Sequence, residues 1–121
     1  RPMENIVAEA EELARSGVKE LIVIAQDITR YGLDCYGAHK LPELLRKLCG
    51  ISGIHWIRLH YLYPDEITAE LIDVVAAEKK ILPYLDIPIQ HCSDAVRAVC
   101  TATRAHSGTG AAHQHHCRPA L

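Results

Sequence analysis

Three times in succession a helical apolar stripe gives way to an extended apolar run that ends abruptly in polar residues, and this alternation constrains the fold more than any other feature. Met3, Ile6, Val7, Ala10, Leu13 and Ala14 recur at helical intervals, with Pro2 and Glu4 suited to the first turn and Gly17 placed to end it. Residues 18–25 then form a nearly continuous apolar run, as expected of a strand covered on both faces, and the polar stretch 26–32 follows. Leu41, Leu44, Leu45 and Leu48 make a second helical stripe, opened by Pro42 and closed by Gly50. Residues 54–63 are a second strand stopped by Pro64 and Asp65. Ile67, Leu71, Ile72, Val74 and Val75 mark a third helix with Asp65 or Thr68 as its N-cap. Residues 84–89 are a third strand, with Pro88 at its end or at a bulge because proline cannot donate to a ladder.

The order helix, strand, loop predicts an α/β chain with parallel strands. Either a (β/α)-barrel or a doubly wound sheet satisfies it, and both place ligands at the C-terminal ends of the strands. Three strands cannot close a barrel, so these residues pair with something or belong to a larger domain. Beyond Asp94 the apolar periodicity fades, and residues 97–121 read as a disordered tail rich in histidine.

Composition excludes several classes. Of 121 residues, 49% are hydrophobic and 23% charged, with a net charge of −2, so no basic excess points to nucleic acid. No run approaches the roughly 18 apolar residues of a membrane span, and Arg1 onward is no signal peptide; a cytoplasmic location is the expectation. The five cysteines (35, 49, 92, 100 and 117) are odd in number and widely spaced, which argues against a disulfide framework or a compact metal pair. His113, His115, His116 and Cys117 have metal-binding chemistry, but adjacent ligands on one short segment do not close a tetrahedral site, so no metal centre is expected there.

The strand ends carry the candidate site. Gln26 and Asp27 either hold ligand amino or hydroxyl groups, or Asp27 caps the following turn while Gln26 is simply solvated. Tyr61, Tyr63 and Pro64 line a pocket or form the rim of a core. Gln90 and Ser93 are placed to donate to a ribose or a carboxylate, and Ser93-Asp94 equally suits an ordinary helix N-cap. Arg58, His60 and His55 are expected to share one face of the second strand, directed into a polar barrel interior, since a dry core would tax three polar groups. His39 reads as a loop residue.

These segments also carry a resemblance. Gly17-Val18-Lys19-Glu20-Leu21 leading into Ala25-Gln26-Asp27-Ile28-Thr29-Arg30-Tyr31-Gly32, then His55-Trp56-Ile57-Arg58 with Tyr61-Leu62-Tyr63-Pro64, then Tyr84-Leu85-Asp86-Ile87-Pro88-Ile89-Gln90-His91 with Ser93-Asp94, resemble the methylthiotransferase branch of the radical-SAM enzymes over about residues 1–96. Gln26-Asp27 and Ile87-Pro88-Ile89-Gln90-His91 favour the members that methylthiolate an aspartate of a small-subunit ribosomal protein over the tRNA-modifying ones. The resemblance implies a partial TIM-like barrel of three βα units, with S-adenosylmethionine and a [4Fe-4S] cluster as cofactors and a small-subunit ribosomal protein as partner. It makes Gln26, Asp27, Gln90 and Ser93 the cofactor-binding candidates, with no catalytic residue assigned. The family's CxxxCxxC cluster motif is absent from these residues, which predicts a fragment inactive alone. The alternatives are a fragment of a tRNA methylthiotransferase, a standalone α/β module that binds a nucleotide or S-adenosylmethionine, and a small unrelated enzyme that dimerises to finish its sheet.

The tail departs from the family pattern. Residues 100–107, read one base earlier, can encode Met-His-Arg-His-Thr-Arg-Ala-Gln, which is nearer that pattern, so a frameshift between Val96 and Val99 is the expectation.

Overall fold

The computed structural model describes residues 1–87. Gln90, Ser93, the end of the expected third strand and the whole tail lie outside the described residues.

The chain begins with α1 (Met3–Arg15), then β1 (Glu20–Ile24), a four-residue helix α2 (Leu33–Tyr36) and α3 (Leu41–Cys49). β2 (Trp56–His60), a 3-10 turn at Pro64–Glu66, α4 (Ala69–Ala77) and β3 (Ile81–Leu85) follow. The three strands form one parallel sheet in the order β1-β2-β3. Each crossover therefore advances one strand in the same direction, which is the progression of a barrel; a doubly wound sheet reverses its order.

The second face of the sheet decides between those architectures. Leu21 and Val23 of β1 pair with Ile57 and Leu59 of β2, and Ile57 pairs with Ile81 of β3. These residues point toward the helices, where Leu41, Leu44, Leu45 and Leu48 of α3 and Leu71 and Val74 of α4 complete the core. α3 packs against both α1 and α4. The alternate residues face the other way, and there Ile22 is 56% exposed, Ile24 59% and Trp56 49%. The expectation that β1 is covered on both faces is thus corrected. The described helices cover one face only, and the apolar residues at alternate positions belong to the other, inner face. The architecture is α/β, three parallel strands with helices on one side, in keeping with part of a barrel.

Local chemistry explains the element ends. Gly17, at φ +97°, sits where the chain leaves α1 for β1, a backbone that favours glycine. Of the two candidate caps for α4, Thr68 is used: its hydroxyl accepts from the Leu71 amide at 3.2 Å. α1 has no side-chain cap of its own. Its Met3 amide instead donates to the Tyr36 hydroxyl at 2.7 Å, so the small helix α2 acts as a cap supplied from 33 residues away. The third strand starts at Ile81 rather than at residue 84. Pro83 falls inside it, and the β2–β3 register slips between the Ile57 and Leu59 pairings, as a residue without an amide proton requires. Among the described residues no helix is long and apolar enough to cross a membrane.

Candidate functional site

The C-terminal ends of the strands are joined by backbone hydrogen bonds that continue the sheet beyond its regular part. Ile28, in the loop after β1, donates to the carbonyl of Tyr61 at 3.1 Å. Leu62 donates to the carbonyl of Asp86 at 3.0 Å. Tyr61 holds φ at +60°, the one non-glycine residue in the left-handed region among those described. A bulky residue there stores strain of about 1–2 kcal/mol, so the backbone around it overdetermines the conformation.

Gln26 and Asp27 line an open cleft of about 550 Å³ with Arg30 from the same loop and Tyr63, Asp65 and Glu66 from the segment after β2. The two sequence candidates are therefore brought together with Tyr63, but they have different surroundings. Gln26 is an exposed part of the cleft lining. One oxygen of Asp27 accepts from the Thr29 amide at 3.0 Å and also from the Thr29 hydroxyl. Thr29 is 2% exposed, so this Asx turn builds the loop from within. Asp27 shapes the cleft through that oxygen. Three carboxylates, from Asp27, Asp65 and Glu66, face one guanidinium, from Arg30, and give the cleft an acidic balance.

His39 is more than a loop residue. Its Nδ1 lies 2.9 Å from the Thr29 carbonyl, and because a carbonyl only accepts, that nitrogen carries the proton. Its Nε2 stands 3.6 Å from Glu66. The imidazole thus bonds the loop after β1 and, when doubly protonated, pairs with the 3-10 turn after β2. Sequence alone offered no signal for this, because residue 39 lies ten residues from one partner and twenty-seven from the other.

The polar residues of β2 are arranged differently from expectation. Trp56, Arg58 and His60 share the inner face, since side chains alternate with a period of two. His55 precedes the strand, has the opposite parity and is exposed. Arg58 donates from Nε to Glu20 of β1 at 2.7 Å and lies 5.7 Å from the ring centre of Tyr84 of β3. On β2 this face is polar at Arg58 and His60, with partners of Arg58 drawn from β1 and β3, whereas β1 places Ile22 and Ile24 on it.

An iron–sulfur cluster does not fit the described residues. Cys35 and Cys49 are the cysteines among them, and no group of three or more His, Cys, Asp or Glu is placed to hold a metal. Burial pushes the Cys49 thiol up to about 11, away from the thiolate that a cluster requires. The cleft does suit a ligand with cationic and hydroxyl groups, given its excess of carboxylates.

No family model matches the chain. Individual relatives do. A protein of Moorella thermoacetica named ribosomal protein uS12 methylthiotransferase RimO is 55% identical over 112 residues, which is 93% of this chain and 25% of the relative. Proteins of the same name from Lachnoclostridium phytofermentans and Alkaliphilus oremlandii are 64% identical over 93 residues and 59% over 96, covering 77% and 79% of this chain and 21% and 22% of the relatives. The chain thus spans about a quarter of the length of the curated relatives it matches. With more than half of the aligned residues identical over most of its length, the chain belongs to the RimO methylthiotransferase family.

Proposed function

We propose that these residues form one part of the barrel of a radical-SAM methylthiotransferase acting on an aspartate of ribosomal protein uS12. The observation that carries the proposal is the high identity to relatives bearing that name. The joined strand ends and the acidic cleft support it, because a barrel binds its ligands at that end and S-adenosylmethionine carries a sulfonium and an ammonium. Gln26, with Gln90 and Ser93 outside the described residues, is assigned to polar contacts with this cofactor, and Asp27 to holding the loop that presents them. The cofactor and cluster, when bound, supply a carbon-centred radical. The residues of this chain bind, orient and exclude water.

CxxxCxxC spacing does not occur among the 121 residues, and on this proposal the cluster ligands belong to another part of the barrel and these residues are inactive alone. The barrel portion is assigned to residues 1–96 and an atypical tail, frameshifted or disordered, to residues 97–121. Two measurements test the proposal. The chain, reconstituted anaerobically with iron and sulfide, is expected to show no stoichiometric [4Fe-4S] absorbance. The intact reading frame around these residues, restored if the frame is broken, is expected to add one methylthio group to uS12, read by mass spectrometry. Modification of tRNA with uS12 untouched would overturn the substrate assignment, and the alternate reading of the coding DNA decides the tail.

A further inference from the structure

His60 ends β2 on the inner face of the sheet, the face that none of the described helices covers. Its ring is held from the side of β3. The Tyr84 ring lies 6.0 Å away, centre to centre, tilted by 50°. The Asp86 carboxylate stands 3.7 Å from Nδ1. Arg58, two residues earlier on the same face, is engaged with Glu20 and Tyr84. That leaves Nε2, which is buried and has no hydrogen-bond partner among the described residues. Buried polar atoms without partners are few in folded proteins, and each asks for a physical reason.

The charges around the ring determine which partner is missing. With the Asp86 carboxylate on the Nδ1 side, the tautomer that carries its proton on Nδ1 is favoured, and that tautomer presents a lone pair at Nε2. A second carboxylate would meet that lone pair and the charge of Asp86 together, so an anionic partner is disfavoured. We infer that His60 Nε2 is a hydrogen-bond acceptor for an N–H or O–H group of a molecule bound on the inner face at the C-terminal end of the sheet, with Asp86 and Tyr84 as positioning residues. This rests on the reading of the strand ends as a ligand site. On that reading the donor has two sources: the ammonium or ribose hydroxyls of S-adenosylmethionine, or an N–H of the protein substrate.

Long-range proton–nitrogen correlation spectra of the full chain labelled on histidine test the inference, with His60 assigned by its loss in His60→Gln. The ligand-free protein is expected to show His60 protonated on Nδ1 and bare on Nε2. S-adenosylhomocysteine and a uS12 peptide centred on the target aspartate are then added separately. One of them is expected to shift the Nε2 resonance, and which one does so names the source of the donor. His60→Leu is expected to weaken binding of that probe about tenfold, while His60→Gln, whose amide oxygen accepts, keeps most of it. The spectra of the unaltered chain keep the test valid where His60→Leu does not fold. An Nε2 already protonated without ligand overturns the inference. So does a probe that binds the unaltered and His60→Leu chains equally and leaves Nε2 in place, although the ligand-site reading then stands. Binding of neither probe to the unaltered chain brings down both.

Discussion

Single residues at the strand ends hold conformations that their own chemistry disfavours. Tyr61 combines a positive φ with an exposed side chain, so replacing it tests the backbone with little loss of packing. Tyr61→Gly removes the left-handed strain but adds unfolded-state freedom, and these opposed effects of similar size should leave the unfolding free energy within about 1 kcal/mol of the parent. Tyr61→Val, with branching at Cβ, should lose about 2 kcal/mol, read by chemical denaturation. Equal behaviour of the two variants would mean that the conformation carries no strain. Cys49 and Tyr31 govern a different response. Burial is the first cause for both, raising the thiol to about 11 and the phenol to about 12. Both folded values lie above the unfolded ones, so the folded state holds these protons more tightly. The resulting stability is complete at neutral pH and is lost as pH rises from about 9 toward 12. Thermal melts across that range should show the decline, and Cys49→Ala should lessen it. At pH 8 iodoacetamide should alkylate the exposed Cys35 well before the buried Cys49.

The elements themselves were largely visible in the pattern of apolar residues. The stripe through Leu41, Leu44, Leu45 and Leu48 predicts α3, and the pause at Gly17 separates α1 from β1, because both follow from periodicity and turn chemistry within a few residues. The failures have one cause. α2 has only four residues, too few for a periodic signal, and it exists because its Tyr36 reaches the Met3 amide. β3 begins three residues before the expected position 84, with the neighbouring register slipping to admit Pro83. The turn before α2 offers a direct test. Gly32 has φ +100°, and a Cβ there would lie 2.6 Å from both the Ala38 carbonyl oxygen and the Lys40 Cβ. Gly32→Ala should therefore cost about 2 kcal/mol or more and loosen the cap on α1, seen as faster amide exchange at Met3. Exchange and stability unchanged from the parent would show that the loop relaxes without penalty.

At the scale of the whole molecule, a parallel sheet covered on one side by the described helices leaves Ile22, Ile24 and Trp56 exposed on its inner face and two edges without a partner strand among the described residues. Such surfaces favour association with other chains, and closed barrels avoid this by leaving no edge. Ile22→Lys combined with Ile24→Lys should raise the monomer fraction of the chain in size-exclusion chromatography and leave its helical circular dichroism intact. An unchanged elution profile would show that this face does not drive association. The sequence by itself determined the alternation of helices and strands, the parallel sheet and the polar strand ends, because these arise from local periodicity. It also carried the family resemblance, through runs of identical residues. It could not decide whether Asp27 contacts a ligand or caps a turn, nor whether the apolar residues of β1 meet helices on both faces. Those outcomes depend on what folding brings against each side chain: the buried Thr29 held by Asp27, and a second face of β1 that the described helices leave open. Spacing along a chain records which way a side chain points, and only the tertiary structure records what it meets.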